Sequence, residues 1–276
     1  MLFTSKVLSL EIDGSVATLW LDREEARNAM GSALWHDLPL AVATVASDTS
    51  VRVLVVAAKG PHFTVGLDLK EMGERLVSSG HEAKSKASSN AVTFQAVTTM
   101  QKSITALAEL PIPVIAAVHG YCIGGGVDLI TACDIRLCSA NAIFSVREAK
   151  VAIVADLGTL QRLPRIIGAG HVAELALTGK DITAQRASQI GLVNSVHGES
   201  AHDVLEAAYE MAREIAANSP LAVRGTKAVL AANDGRTVNE GLEFVARWNT
   251  MYLQSNDLVE AMTAFLERRA PHFTGE

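Results

Sequence analysis

Three acids in the middle of the chain stand close enough along the sequence, and in sufficiently apolar company, to act on one substrate. Asp128, Glu148 and Asp156 are separated by 20 and 8 residues. Asp156 is flanked by Val151, Ala152, Ile153, Val154, Ala155 and Leu157, an apolar wall that disfavours the ionised carboxylate, raises its pKa and suits it to proton transfer. The same position also reads as a helix N-cap ahead of "LGTLQRLPRIIG". Asp128 follows Gly124, Gly125 and Gly126 in "GYCIGGGVDLITACDIR", in the first turn of a predicted helix, where the helix dipole alone favours an acid. Glu148, in "FSVREAK", also fits a surface ion pair with Arg147 or Lys150.

Two glycine-bearing turns accompany the acids. One is Val65-Gly66-Leu67-Asp68, at the end of "VVAAKGPHFTVGLDL"; the other is the triple glycine. Glycine lets backbone N–H groups come close to a ligand, and a helix start behind it favours negative charge. Facing each other, two such turns would give one N–H each to an oxygen that becomes negative during reaction, as an oxyanion hole requires. Close helix–strand packing explains either turn taken singly.

The elements that must position these residues follow from hydrophobic period. "KVLSLEI" and "VATLWL" (6–12 and 16–21) alternate around Asp13-Gly14 and predict a hairpin. "VRVLVVAA" (51–58) and "PVIAAVHG" (113–120) predict buried strands, and 33–48 has helical spacing. From residue 159 onward the pattern becomes helical, with helices expected over 200–219, 221–233 and 237–254. The fold class expected is α/β, a spiral core over 1–198 followed by a helical region over 199–276. The polar stretch 73–90 is a candidate connection or flap over the site. Between 237 and 266, residues such as Leu242, Phe244, Trp248, Met251, Leu258 and Phe265 supply more large apolar surface than a terminal appendage hides alone. They are expected to pack against the core and against neighbouring subunits.

Composition removes several function classes. The chain has 276 residues, 49% of them hydrophobic, and a formal charge of −6, so no basic field recruits nucleic acid or an anionic membrane. Its apolar runs fall well short of the roughly 20 residues of a membrane span. The first residues lack a signal-peptide pattern and the last do not form a peroxisomal tripeptide, which leads to the expectation of a cytoplasmic protein. Cys122, Cys133 and Cys138 lack paired metal-ligand spacing and read as buried reduced thiols. The histidines show no metal spacing either, and His119, at a predicted strand end, reads more readily as structural than catalytic. No metal is expected. Neither a phosphate loop, a Gly-x-Ser-x-Gly elbow nor a dinucleotide fingerprint is present, and no cofactor is expected.

The stretch from 111 to 168, "PIPVIAAVHGYCIGGGVDLITACDIRLCSANAIFSVREAKVAIVADLGTLQRLPRIIG", resembles the central segment of the enoyl-CoA hydratase/isomerase, or crotonase, superfamily. Within it the likeness is greatest to the Δ3,5-Δ2,4-dienoyl-CoA isomerase branch. "LDREEARNAM", "HFTVGLDLKEM", "SPLAVRGTK" and "DLVEAMTAFLERR" extend the likeness over nearly the whole chain. The resemblance implies a crotonase-like β-β-α spiral core with a C-terminal helical trimerisation region, a homotrimer or dimer of trimers, and an acyl-CoA substrate whose coenzyme A is not a separate cofactor. It implies an oxyanion hole from the N–H groups of Leu67 and Gly125, and coenzyme A contacts from Arg27, Val65, Gly66, Asp68, Leu69, Gly126 and Phe265, the last near the pocket of an adjacent subunit.

In the hydratase branch the positions of Asp128 and Glu148 usually hold two water-managing glutamates, and that of Asp156 a glycine. The set found here is that of the isomerase branch, which implies that Glu148 and Asp156 move protons at C2 and C6 of a dienoyl thioester while Asp128 orients or tunes them. Two departures stand out: Val65 replaces a common alanine, and Thr274 stands where relatives often carry a coenzyme A-contacting lysine. The alternatives are a 2-enoyl-CoA hydratase of fatty-acid β-oxidation and a non-catalytic coenzyme A- or RNA-binding member.

Overall fold

The computed structural model describes residues 3–71, 73 and 85–276. Most of the candidate flap therefore lies outside the described residues. Among the described residues ten strands form two sheets: β1 (Phe3–Thr4), β2 (Leu8–Asp13), β3 (Val16–Leu21), β4 (Val53–Ala58), β5 (Val114–Val118), β6 (Tyr121–Ile123), β7 (Ile135–Cys138), β8 (Ile143–Ser145), β9 (Ile182–Thr183) and β10 (Ser195–Val196). The larger sheet runs β1-β2-β3-β4-β5-β7-β10 and the smaller β6-β8-β9. In the larger sheet β1, β2 and β3 pair antiparallel, and every later pairing is parallel. The hairpin forms as the alternation predicts, but its turn lies one residue later. Asp13 still pairs with Val16, so Gly14 (φ +58°) and Ser15 make the turn, with the glycine at the first central position.

The parallel strands are apolar on both faces because both faces are covered. In β4, Leu54, Val56 and Ala58 face one core. Val53, Val55 and Ala57 face another, built against Val204, Ala208, Ala212 and Ala216. Those four come from the helix Ala201–Ala216, whose start is fixed by a reciprocal Ser200/Asp203 capping box. Small residues along its buried stripe let it lie close to the sheet. On the opposite face the helix Ser32–Ser47 supplies Leu34, Trp35, Leu38, Ala41, Val42 and Val45, and Lys86–Glu109 supplies Ile104 and Leu107. Full burial of a valine or leucine side chain contributes about 1.5–3 kcal/mol, so this two-sided layer is the rigid frame of the molecule. The predicted helical character after 159 holds, interrupted by the short strands β9 and β10.

The terminal helices Val238–Tyr252 and Asn256–Glu267 differ from expectation in one respect. Their apolar residues are not buried against their own core: Leu242, Met251, Val259, Met262, Phe265 and Leu266 are all exposed in the single chain. The reason is geometric. Trp248 packs over Gly225 of the helix Pro220–Ala232, which uses the inner face of the helix and turns the remaining apolar residues outward.

The last residues are nevertheless anchored. Asp257, 2% exposed, accepts from the Ser219 hydroxyl at 2.6 Å and from the N–H groups of Thr274 (2.8 Å) and Gly275 (3.1 Å), while Arg52 donates to the Phe273 carbonyl at 2.5 Å. Burial alone would raise the Asp257 pKa, but these donors and the Arg52 charge outweigh it and hold the carboxyl below its usual range. A carboxylate of this kind contributes stability above its unfolded pKa of about 4, and that contribution is lost as pH falls through the lower folded value. Asp257→Asn is therefore expected to cost about 1–3 kcal/mol at pH 7, less below about pH 4. Urea unfolding at both pH values checks this, and a wild-type midpoint at pH 7 contradicts it.

Candidate active site

The two glycine turns meet. Thr64 donates its N–H to Tyr121 at 2.8 Å and accepts from Ile123 at 3.2 Å, while Gly66 accepts from Met30 at 2.8 Å and Asp68 donates back to Met30 at 2.9 Å. The segment is thus stitched on one side to β6 and on the other to the chain before the helix Ser32–Ser47. Between those bonds the N–H of Leu67 has no acceptor among the described residues, and neither has that of Gly125, the first residue of the helix Gly125–Thr131. Gly66 has φ +84°, and a Cβ there would lie 2.7 Å from the Ile123 carbonyl oxygen and 3.6 Å from the Gly125 nitrogen. Only glycine allows this approach.

A cavity of about 260 Å³ opens beside the junction, lined by Val65, Gly66, Leu67, Leu69, Gly124 and Gly125 together with Asp128, Glu148 and Asp156. The three acids predicted from sequence therefore share one space. Its other walls are mostly apolar, with Trp35, Val97, Met100, Ile123, Ile153 and Leu157, and include Thr93 and Arg147. No group of three side chains suited to holding a metal ion occurs among the described residues.

Each acid is held differently. Asp128 is 1% exposed, and its Oδ1 accepts the Thr159 N–H at 2.6 Å. Burial lifts its pKa to about 6, with Asp156 adding to the rise and the Thr159 hydrogen bond and Arg162 opposing it. Glu148 opens a 3-10 turn, Glu148–Val151. Its Oε2 is buried without a hydrogen-bond partner, and burial, reinforced by Asp128 and Asp156, raises its pKa to about 7. Asp156 is half-buried, its pKa raised by burial. Its carbonyl accepts from Gln101 at 2.7 Å, leaving the side chain beside the cavity.

The alternatives open at the sequence level resolve in an unexpected way. Asp156 is not a helix cap. The helix Thr159–Arg162 is capped by Gly158 without a side-chain bond, and its first N–H is taken by Asp128 from across the site. Glu148 forms no ion pair with Arg147, which binds Asp181 instead. The apolar wall around Asp156 is only partial: Ala155 and Leu157 are buried, Val151 and Ile153 line the cavity with Val151 also exposed, and Val154 is exposed away from it.

Not every predicted contact residue reaches the cavity. Gly126 lies beneath it, where a Cβ would meet Thr64 at 2.5 Å and Cys122 at 3.2 Å; it serves packing. Asp68 is committed to Arg23 at 2.8 Å and to the N–H groups of Lys70 and Glu71. Arg27 is exposed, in a left-handed conformation (φ 52°), and its carbonyl accepts from Val65 at 3.2 Å. Phe265 is 82% exposed and lies outside the cavity. His119 is buried with Nε2 at 2.9 Å from the Gly60 carbonyl, a structural placement. Sequence reasoning missed Trp35, which patterns as an ordinary core residue of its helix. It also missed Thr159, whose contribution is a backbone N–H and so leaves no trace in residue type.

Comparison with known proteins follows from this geometry. A family model described as Enoyl-CoA hydratase/isomerase matches residues 11–276. The chain is 40% identical over 270 residues to a protein of Arabidopsis thaliana named Delta(3,5)-Delta(2,4)-dienoyl-CoA isomerase, peroxisomal, with 98% of this chain and 96% of that one covered. It is 42% identical over 271 residues to the mitochondrial protein of the same name from Dictyostelium discoideum, covering 97% and 91%. Among solved structures, an enoyl-CoA hydratase from Bacillus anthracis superposes with a TM-score of 0.87 at 31% identity, covering 98% and 100%. The cytoplasmic expectation is corrected by these relatives, which are named as a peroxisomal and a mitochondrial protein. Lack of a secretory, membrane-spanning or C-terminal tripeptide pattern does not exclude import into those organelles by another signal.

The crowded acids have a measurable cost. A carboxyl whose folded pKa is raised destabilises the fold progressively as pH climbs from the unfolded toward the folded value. Glu148→Gln is expected to stabilise the protein on the order of 2 kcal/mol at pH 8, with the gain opening between about pH 4.5 and about 7. Thermal unfolding across that range checks it, and an equal effect at pH 4 and pH 8 would refute the assigned titration.

Proposed function

Because the chain belongs to the enoyl-CoA hydratase/isomerase family, we propose that it is an acyl-CoA isomerase that converts a 3,5-dienoyl-CoA into the 2,4-dienoyl-CoA. The observation that carries this reading is the set of three carboxylates around one cavity beside two unpartnered backbone N–H groups. The names of the relatives at 40% and 42% identity agree with it.

The thioester carbonyl oxygen binds between the N–H groups of Leu67 and Gly125. Glu148, ionised, removes a proton from C2, and the C–H electron pair enters the conjugated system as the oxygen becomes an enolate held by the two donors. Protonated Asp156 gives its proton to C6. The double bonds then lie at C2=C3 and C4=C5, the carbonyl is restored, and no atom is gained or lost. One carboxylate does not readily serve two carbons this far apart, so two are needed. The cycle starts with one proton on the Glu148/Asp156 pair, a state favoured by mutual repulsion in a desolvated site. Asp128, anchored to Thr159, raises the proton affinity of Glu148 without reaching for water. Val65, Gly66 and Leu69 line the same cavity, which supports their assignment to substrate contact.

A hydratase is the second reading, favoured by the names of solved structures such as that from Bacillus anthracis. Side-by-side assay with 3,5-dienoyl-CoA and 2-enoyl-CoA separates the two: diene isomerisation is expected to exceed hydration, and efficient hydration without diene conversion refutes the proposal. Asp156→Asn keeps the shape and removes the acid, so isomerisation is expected to fall on the order of 10²-fold or more; undiminished turnover would remove Asp156 from the chemistry. The proposal extends to assembly as a homotrimer or dimer of trimers, supported by the exposed apolar residues of Val238–Tyr252 and Asn256–Glu267, with Phe265 serving a neighbouring subunit's site. Deletion of 255–276 is expected to impair both oligomerisation and coenzyme A binding, and a fully active monomer in sedimentation analysis contradicts it.

A further inference from the structure

Three carboxylates beside one cavity call for a compensating cation. Arg147 lines the cavity but is paired with Asp181. Arg162 is different. It does not line the carboxylate cavity; it borders a second one, of about 920 Å³, between the core and the helix Pro220–Ala232, and reaches the turn 156–159 from behind. Its Nη1 donates to the Leu157 carbonyl at 3.2 Å and its Nη2 to the Thr105 hydroxyl at 2.8 Å. The guanidinium occupies the space beside Gly158, where a Cβ would fall 1.8 Å from Nη1 and where φ is +125°, a conformation closed to other residues. The turn so clamped carries Asp156 at one end and, at the other, Thr159, whose N–H holds Asp128.

We infer that Arg162 is a positioning residue for the carboxylate cluster. It fixes the turn that presents Asp156 and the Thr159 N–H, and it places a positive charge behind Asp128 without touching substrate. This rests on the proposed isomerase reading for its kinetic consequences, but its structural content does not depend on that reading. The planar fork suits the task, since it bonds a carbonyl and a hydroxyl at once and keeps its charge at any working pH. Arg162 and Asp128 form no ion pair within 4.0 Å among the described residues, yet each acts on the other's proton affinity. The charged and titratable groups facing Asp128 are Asp156, Glu148, Arg162 and the Cys122 thiol; those facing Arg162 are Asp128, Arg165, Cys133 and Glu109.

The test compares Arg162→Gln, Arg162→Lys and Thr105→Val in the full-length protein, by steady-state kinetics on 3,5-dienoyl-CoA and by carboxyl ¹³C NMR titration of Asp128 in the free protein. Arg162→Gln is expected to lower kcat on the order of 10²-fold, the scale of a slight misplacement at a reacting centre, with KM little changed. It should also raise the proton affinity of Asp128 roughly tenfold, as loss of a nearby opposite charge does. Arg162→Lys and Thr105→Val keep the charge and loosen the clamp, so kcat falls less and the Asp128 titration stays in place. A loss in KM rather than kcat would mean direct substrate contact and overturn the inference. So would a kcat loss with the Asp128 titration unmoved in Arg162→Gln, which is the signature of mere packing. Should Arg162→Gln fail to fold, wild-type rates in both other variants overturn it. If wild-type protein converts no dienoyl-CoA, the isomerase reading fails, and the NMR comparison still decides the role of Arg162.

Discussion

The organising constraint of this molecule is that three carboxylates share one desolvated space and so cannot all ionise independently. Water would screen them, but Trp35, Met100, Ile123 and Leu157 keep the cavity walls apolar. Without that screening, each negative charge raises the proton affinity of the next. Asp128 is restrained by the Thr159 N–H, whereas Glu148 keeps a buried oxygen with no partner among the described residues. An unsatisfied buried polar atom costs on the order of 1–3 kcal/mol, a cost a purely structural glutamate would avoid by rotating outward. The rest of the fold must be rigid enough to hold that arrangement against its own repulsion.

Rigidity comes from layering. β4 and β5 are buried throughout, because helices cover both faces of the larger sheet. The segment Thr64–Asp68 leaves the end of this sheet and is bonded on both sides before it reaches the site. The helix Gly125–Thr131 is buried along its whole length. The Leu67 and Gly125 N–H groups, neither with an acceptor among the described residues, are therefore held in fixed places beside one cavity, as the electrostatic stabilisation proposed for them demands.

Much of this was legible in the sequence, and what was not has a physical reason. The strands showed themselves through β-branched runs bounded by Pro and Gly, and the acids through their placement among apolar neighbours. The hairpin turn slipped by one residue because Asp13-Gly14 and Gly14-Ser15 fit the alternation equally well; only the observed Asp13–Val16 pairing decides. Asp156 looked like a cap since the signal for a cap is local, while the actual acceptor, Asp128, is 31 residues away. Gly126 was grouped with its neighbours by sequence, yet successive helical residues point about 100° apart, so Gly125 lines the cavity and Gly126 does not. The outward faces of the terminal helices were expected to be covered by the core and by neighbouring subunits; the core does not cover them, because amphipathic period reveals that an apolar face exists and not what it meets.

The helix Lys86–Glu109 divides its labour along its length. Its final turns carry Ser103, Ile104 and Leu107 into the core, whereas Thr93, Val97 and Met100 line the cavity. These three recur at intervals of four and three, one stripe on a single rod. None of them belongs to the sheet, to the glycine turns or to the segments that bear the acids. Substitution along this stripe reshapes the cavity and leaves the three carboxylates where they are. A lineage can therefore explore new cavity shapes by drift on one helical face, with the acids around it inherited unchanged.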